Sequence, residues 1–289
     1  MVTGKGGVGK TTVAAALALA GTRQGRGGVL VEFSDGDAGS RALGPYTAEV
    51  EHLVISPDDA ITRAAGPLLG STLLAKLVLG NFAMRRLVRA APALRELAML
   101  ESVRQIVEER PGRRVVVDMP ATGHGLAWLR VPAQMAAITS PGPFRTLVEK
   151  VNRDLMGPGR CSVVVVTLPE TLVLRETVEL CQGMMQEVGL DPACLVINQM
   201  PSVIAASALA EVQRMVAEGD ALGLNPALQA ALKRAQALLE ARHHARLLAA
   251  TALRDALDGV SIEPVILPLS PHDPTASAVA GWLMDGGLR

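Results

Sequence analysis

The chain has 289 residues, of which 49% are hydrophobic and 19% are charged, a composition that excludes a mostly disordered protein. Its 28 basic and 28 acidic side chains give a formal net charge of +0, so no overall field attracts it to nucleic acid, and we expect no nucleic-acid partner. The length suits one large α/β domain over residues 1–289.

A glycine-rich segment near the start of the chain has the residue types of a phosphate-binding loop. Residues 4–12 read Gly-Lys-Gly-Gly-Val-Gly-Lys-Thr-Thr, which satisfies the pattern Gly-x-x-x-x-Gly-Lys-Thr and adds a second lysine, Lys5. Because glycine lacks a Cβ, such a loop can turn several N–H groups toward one anion and approach it closely. The predicted nucleotide contacts in this loop are Gly4, Gly6, Gly7, Val8, Gly9, Lys10, Thr11 and Thr12.

Three side chains at the end of the loop have separate predicted roles. Lys10 should reach the β- and γ-phosphates, Thr11 should bind Mg²⁺ through its hydroxyl, and Thr12 should donate to the α-phosphate side. The sequence therefore predicts a site for ATP and Mg²⁺.

The residues after the loop provide the helix and the strand that this motif requires. Residues 13–20 are rich in alanine and leucine and predict a helix that ends near Gly21, and residues 29–33 predict a buried parallel strand. The strand before the loop has only residues 1–3, so we expect either an unusually short strand or a chain that lacks a few residues at its start. The loop occupies the position of a signal peptide, and no run of about 18 apolar residues is present, so we expect a cytoplasmic protein without a transmembrane segment.

A second part of the predicted site lies at the end of another strand. Residues 114–117 are an arginine and three valines, which predict a strand, and Asp118 ends it. Ligands of open parallel sheets bind at the carboxyl ends of the strands, so Asp118 should hold Mg²⁺ directly or through water. The Pro- and Gly-containing turn of residues 119–125 is suited to sensing the γ-phosphate.

Together these motifs resemble a known family. The loop with its additional Lys5 resembles the deviant phosphate loop of the signal-recognition, Min and Par class of ATPases. Residues 118–124 resemble the Asp-Thr-Ala-Pro-Thr-Gly-His signature of the arsenite-pump and tail-anchored-protein-targeting ATPases, agreeing at the aspartate and at the final Thr-Gly-His, while the three residues between differ. The resemblance implies a P-loop NTPase fold, with a doubly wound, mostly parallel sheet and a helical insertion.

Further segments follow in the order that the family shows. Residues 168–177 are similar to its strand-to-helix segment near the dimer face. Asn198 and Gln199 resemble its adenine-contacting strand end, and Pro268 resembles part of the segment that closes over the base. The resemblance thus implies that these three residues contact the nucleotide.

The resemblance also implies the catalytic residues Lys5, Lys10, Asp35 and Asp118. Lys5 would cross a symmetric homodimer and neutralise charge on the phosphates held by the other subunit, as an arginine finger does. Family members place an aspartate after the second strand, where it positions the attacking water. A gapless comparison puts Asp35 at that position, with Asp37 as the alternative.

The predicted helical insertion covers about residues 45–110. It contains an N-cap-like start at residues 55–59, and apolar residues then recur at spacings near three and four, which are typical of amphipathic helices. In the targeting ATPases an equivalent region forms an apolar groove for the transmembrane helix of a client. An apolar helical stripe is more often core or dimer packing, so both interpretations remain open.

Three functions compete at this point. The first is a homodimeric ATP-hydrolysing switch whose closure binds a protein client or a membrane-associated partner. The second is a partition or positioning ATPase of the Min/Par type, and the third is a metabolic phosphoryl-transfer enzyme with a P-loop. A weaker alternative is an ATPase that drives an arsenite pump. Arsenite and zinc both bind clustered thiolates. The sequence has only Cys161, Cys181 and Cys194, without CxxC spacing.

Overall fold

The computed structural model describes residues 1–33, 36–69, 91–120, 125–203, 206–219, 221–256 and 264–288. Its strands form one seven-stranded parallel sheet in the order β3-β2-β4-β1-β5-β6-β7. The strands are β1 (Val2–Thr3), β2 (Gly28–Glu32), β3 (Val50–Val54), β4 (Arg114–Asp118), β5 (Val164–Thr167), β6 (Cys194–Met200) and β7 (Val265–Pro268).

Helices connect successive strands. Those preceding β5 are α1 (Lys10–Arg23), α2 (Ala38–Leu43), α3 (Pro57–Leu69), α4 (Pro92–Glu109), α5 (Gly125–Ile138) and α6 (Pro143–Val151). Those following it are α7 (Thr171–Gly183), α8 (Ala206–Ala217), α9 (Pro226–Ala256) and α10 (Ala276–Asp285). The described part of the chain contains no helix that is both long and apolar enough to cross a membrane.

Two hydrophobic layers hold the helices against the two faces of the sheet. Side chains alternate along a strand, so Val29 and Val31 of β2 face one layer while Leu30 faces the other. The first layer contains side chains of α3 to α7, and the second contains side chains of α1 and α10. Because both faces are covered, all five residues of β2 are buried. This arrangement confirms the predicted α/β class and the P-loop NTPase fold.

The predicted helix at residues 13–20 lies within α1, and the predicted strands at 29–33 and 114–118 correspond to β2 and β4. Strand β3 has no counterpart in the sequence prediction, although it lies within residues 45–110. It pairs in parallel with β2 over its five residues, as in Val29 with Glu51. Its inner residues Glu51 and His52 are polar, so the segment lacks the apolar run of a buried strand.

The helical part of residues 45–110 is partly described. Ser56 caps the start of α3, where the Asp59 N–H donates to Ser56 Oγ at 3.1 Å, as the sequence predicts. Within α4, Leu97 and Leu100 are buried in the first layer, so this part of the apolar pattern is core packing. Residues 70–90, where most of the predicted client groove falls, lie outside the described residues, and both the groove and the insertion stay predictions.

Candidate nucleotide site

The phosphate loop lies against the carboxyl ends of β5 and β6. Gly4 has φ +143°, and a Cβ there would lie 2.2 Å from the Val166 carbonyl oxygen. Gly9 has φ +92°, and a Cβ there would lie 2.4 Å from Asn198 Nδ2. Both positions therefore require glycine, because the dihedral angle and the close approach each disfavour a side chain. The loop conformation depends on these contacts with neighbouring strands as well as on its own sequence.

Lys10 is the first residue of α1 and its ammonium group closes the loop. Lys10 Nζ donates to the Lys5 carbonyl oxygen at 2.8 Å, and the residue is only 6% exposed. Burial lowers the pKa of Lys10, and the nearby Asp118 carboxylate opposes this shift. The free N–H groups of the first helical turn add positive potential at the same end of the helix. The loop is therefore a preformed site for an anion.

Thr11 and Asp118 meet beside this loop although 107 residues separate them in sequence. Thr11 Oγ1 donates to Asp118 Oδ2 at 2.6 Å. Asp118 Oδ1 is buried and has no hydrogen-bond partner among the described residues. Burial raises the pKa of Asp118 to about 6, while the Thr11 hydrogen bond and the Lys10 charge act in the opposite direction. A hydroxyl oxygen beside a carboxylate with one unpaired oxygen fits a hard cation such as Mg²⁺ or one of its bound waters.

A cavity of about 670 Å³ continues from the end of the loop to the ends of β6 and β7. This volume is within the range of sites for small molecules and cofactors. Asn198 Nδ2 donates to the Val8 carbonyl oxygen at 2.9 Å, and Gln199, with φ +55°, donates its backbone N–H to Asn198 Oδ1 at 2.9 Å. The cavity lining includes the sequence-predicted residues Gly9, Thr11, Thr12, Asn198, Gln199 and Pro268.

The same cavity is lined by residues that the sequence analysis did not single out as site residues. They include Arg41 of α2 and His272 and Asp273 of the loop after β7. The loop of residues 270–274 could have been identified from its position in the sequence. It follows the carboxyl end of a parallel strand, which is the usual place for a ligand.

Lys5 extends away from the loop to the surface helix α7. Lys5 Nζ forms an ion pair with Glu176 Oε1 at 2.7 Å, and the two side chains are 38% and 49% exposed. The carbonyl group of Lys5 contributes to the loop through Lys10, whereas its ammonium group is held by Glu176. Lys5 is thus the one lysine of the motif whose charge is paired at the surface.

The first-switch segment follows β2. Asp35 lies outside the described residues, so its position stays a prediction. Asp37 directly precedes α2, is exposed, and pairs with Arg41 at 3.2 Å. The water-positioning role of Asp35, with Asp37 as the alternative, stays a prediction.

Glu32 is a buried carboxylate at this site that the sequence analysis missed. It ends β2 beside Asp118 in the strand register and is 4% exposed. Glu32 Oε2 accepts a hydrogen bond from the Gly39 N–H at 2.8 Å and lies 3.1 Å from His52 Nε2. A Cβ on Gly39 would lie 2.7 Å from the same oxygen, so this approach depends on glycine. Glu32 therefore joins the end of β2 to the start of α2, across the first-switch segment.

Replacing Glu32 by alanine should lower the free energy of unfolding by about 1–3 kcal/mol, because the buried Gly39 N–H would lose its acceptor. Glu32→Gln should cost less, since an amide oxygen can still accept that hydrogen bond. Urea unfolding followed by circular dichroism measures the free energy of unfolding of both variants. Glu49→Ala, at an exposed position, is the control. An unchanged unfolding midpoint for Glu32→Ala would contradict the structural role of Glu32.

The three cysteines are free thiols. Cys181 and Cys194 are buried in separate layers of the core, and burial raises the pKa of each thiol to about 11. Both therefore remain protonated at neutral pH, whereas metals and arsenite bind the thiolate form. The two residues behave as small apolar core side chains.

The sequence of the chain is similar to those of several known ATPases. The chain is 29% identical over 211 residues to an arsenical pump-driving ATPase of Acidiphilium multivorum, covering 70% of this chain and 35% of that protein. An arsenical pump-driving ATPase of Escherichia coli is 28% identical with the same coverage. The chain thus spans about a third of the length of these two relatives. ATPase BagA of Mycobacterium tuberculosis is 27% identical over 297 aligned positions, covering 93% of this chain and 86% of that protein.

No protein-family profile matches the chain. The two kinds of relative are nevertheless both named as ATPases, and one of them aligns with nearly the whole chain. The fold and the phosphate loop are those expected for such a protein. The chain is therefore similar to both kinds of ATPase, the arsenical pump-driving ATPases and ATPase BagA, at 27–29% identity.

Proposed function

We propose that the chain is a homodimeric, nucleotide-switched ATPase with a deviant phosphate loop, which hydrolyses ATP and couples closure of the dimer to binding of a protein client. The observation that carries the ATPase part is the contact of Thr11 with Asp118 beside the loop, with one Asp118 oxygen left open. Lys10 and the N-terminus of α1 hold the phosphates, while Asn198, Gln199 and Pro268 border the space for the base.

Thr11 and Asp118 would hold Mg²⁺, which when bound neutralises charge on the β- and γ-phosphates. The protein residues supply the remaining functions. The glycine-rich backbone orients the phosphates, Lys10 adds a fixed positive charge, and the first-switch aspartate positions water. Within one subunit these residues provide no second cation at the γ-phosphate. Lys5 of another copy of the chain would supply it.

The ion pair between Lys5 and Glu176 supports this assignment of Lys5. A pair this exposed contributes about 0–1 kcal/mol, so Lys5 can exchange Glu176 for a phosphate of another subunit at little cost. In the monomer, Glu176 then keeps the charge of Lys5 paired until a second subunit binds.

Replacing Glu176 by glutamine should raise the rate of ATP turnover by about two- to fivefold, since the free energy released from the exposed ion pair becomes available for closure. Turnover should be measured over a series of protein concentrations, because the effect acts on dimer formation. In the Lys5→Ala background the same substitution should have no effect on turnover. An equal increase in both backgrounds would show that Glu176 acts independently of Lys5.

Sedimentation velocity with ATP and Mg²⁺, compared with ADP, tests the proposed function. ATP should convert the protein to a dimer, and hydrolysis should return it to the monomer. The dimer should also retain a labelled peptide that has the sequence of a single transmembrane helix, whereas a scrambled polar peptide of equal length should not bind. Dimerisation without peptide capture would leave the ATPase in place and overturn the client role, and a monomer in ATP would overturn the dimeric switch together with the client role.

A further inference from the structure

The short helix α2 presents one side to the nucleotide cavity. Residues three and four positions apart lie on the same side of a helix, and the cavity lining contains a set with this spacing, made of Ala38, Arg41, Ala42 and Pro45. Leu43 of the same helix is fully buried in the second hydrophobic layer, which also contains side chains of α1. The helix is therefore held against α1, with Arg41 at the cavity.

The charge of Arg41 has no equivalent in this cavity. Among the described lining residues it is the only arginine or lysine, and the other ionisable side chains are His272 and Asp273 after β7. Lys10, which we assign to the β- and γ-phosphates, is not one of these lining residues. A nucleotide that extends from the phosphate loop into the cavity thus meets a single permanent positive charge on the described wall, that of the Arg41 guanidinium group.

The two ends of the cavity indicate which part of a nucleotide lies near Arg41. One end is lined by Thr12 of the loop, which is assigned to the α-phosphate side. The other end is bordered by Asn198 and Pro268, which are assigned to the base. The α-phosphate and the ribose lie between these ends. Of these two groups the phosphate carries the negative charge that a guanidinium group binds.

The guanidinium group of Arg41 is paired with Asp37 at the start of α2. Arg41 Nε lies 3.2 Å from Asp37 Oδ1, and the two side chains are 73% and 72% exposed. An ion pair this exposed is weak, because water screens both charges. A hydrogen bond of arginine with phosphate is charge-assisted and can be bidentate. Arg41 can therefore leave Asp37 for a phosphate.

The backbone of α2 can stay in place during this change of partner. The Gly39 N–H donates to the buried Glu32 Oε2 at 2.8 Å, which joins the start of α2 to the end of β2. The Arg41 N–H donates to the Asp37 carbonyl oxygen at 2.9 Å. A change of the Arg41 side-chain rotamer is then sufficient, and Asp37 loses its ion pair but keeps its backbone hydrogen bond.

We propose that Arg41 binds the α-phosphate of the nucleotide, and that it exchanges Asp37 for this phosphate when the nucleotide enters the cavity. The inference rests on the proposed function, because it requires a nucleotide in the phosphate loop. It adds a phosphate contact from α2, outside the phosphate-loop motif. It also connects nucleotide binding with the first-switch segment, since Asp37 is released from its partner only when the nucleotide is bound.

Isothermal titration calorimetry with ADP and Mg²⁺ tests the contact, because ADP carries the α-phosphate and is not hydrolysed. Arg41→Gln should weaken ADP binding about tenfold, since a charge-assisted hydrogen bond is lost. A non-hydrolysable ATP analogue should lose affinity by the same factor, because the γ-phosphate lies away from Arg41. The matched control is Arg214→Gln on α8. Arg214 is half-exposed and pairs with Glu218, four residues further along its helix, at 2.9 Å, so this variant should bind both nucleotides normally.

Replacing Asp37 by asparagine should have the opposite effect. ADP binding should become about twofold tighter, because Arg41 no longer has to leave an ion pair. In the Arg41→Gln background the same substitution should leave ADP binding unchanged. An equal gain in both backgrounds would show that Asp37 acts directly on the charge of the nucleotide, and it would overturn the exchange of partners.

The remaining outcomes separate this inference from the proposed function. If Arg41→Gln binds ADP within twofold of the wild-type protein while Lys10→Ala binds it more weakly, the role of Arg41 is overturned and the nucleotide site stands. A loss of affinity confined to the ATP analogue would overturn the placement of Arg41 at the α-phosphate. Absence of ADP and ATP binding by the wild-type protein would overturn the proposed function, and this inference with it.

Discussion

Replacing Lys10 by alanine should weaken ATP binding by about a hundredfold. A charge-assisted hydrogen bond is worth about 1.5–3 kcal/mol, and a factor of ten in affinity is about 1.4 kcal/mol. In the proposed function Lys10 makes such bonds with the β- and γ-phosphates, and it is the buried cation beside Asp118. Its removal also deletes the hydrogen bond to the Lys5 carbonyl group that closes the loop. Isothermal titration calorimetry with ATP and Mg²⁺ measures the change in dissociation constant.

A matched control is available for this prediction. Lys233 lies exposed on α9, so Lys233→Ala removes the same charge and should leave the dissociation constant unchanged. Circular dichroism of the Lys10→Ala protein should show native secondary structure. A dissociation constant within threefold of the wild-type value, in a folded Lys10→Ala protein, would contradict the phosphate-binding role of Lys10.

Replacing Lys5 by alanine should have a different effect, with turnover reduced and nucleotide binding retained. A cation supplied in trans to the transferring phosphoryl group is worth about 10³–10⁵ in turnover where it has been measured as an arginine finger. Lys5 should account for at least the lower part of that range. Its ammonium group contacts Glu176 at the surface of its own subunit, so ATP binding to that subunit should change by less than about threefold. Single-turnover hydrolysis and equilibrium binding measure the two quantities separately.

Mixing two inactive variants tests whether Lys5 acts across a dimer. In a mixed dimer of Lys5→Ala and Asp118→Asn, the subunit with alanine at position 5 keeps Asp118 and receives Lys5 from its partner. Random pairing should therefore restore about a quarter of the wild-type turnover, because half of the dimers are mixed and each has one complete site. If Lys5 acts within its own subunit, neither site of the mixed dimer is complete. Absence of recovery on mixing would then contradict the trans role.

The parts of the site that the sequence predicted are local in the chain. The loop of residues 4–12 needs glycines at particular dihedral angles and a lysine at the start of a helix, and both requirements show in nine consecutive residues. Asp118 could be predicted because the preceding valines indicate a buried strand and the position after such a strand is the usual place for a ligand. The hydrogen bond of Thr11 with Asp118 follows once these two strand ends lie side by side.

Other features could not be predicted because they depend on contacts between distant residues. Glu32, His52 and Gly39 belong to no motif, and they meet only because β2 and β3 pair in the sheet. The polar residues Glu51 and His52 are the reason that the sequence did not predict β3, since a strand at the edge of a sheet can carry polar side chains without losing its backbone pairing. The ion pair of Lys5 with Glu176 likewise requires α7 to pack beside the loop.

The sequence by itself determined the fold class, the phosphate loop and the identity of the charged groups that surround it, because these depend on backbone geometry and on the periodicity of apolar side chains over short stretches. Only the tertiary structure decided which charges are paired and which carboxylate oxygen remains open. Those properties depend on desolvation and on distances between strands that are far apart in the chain.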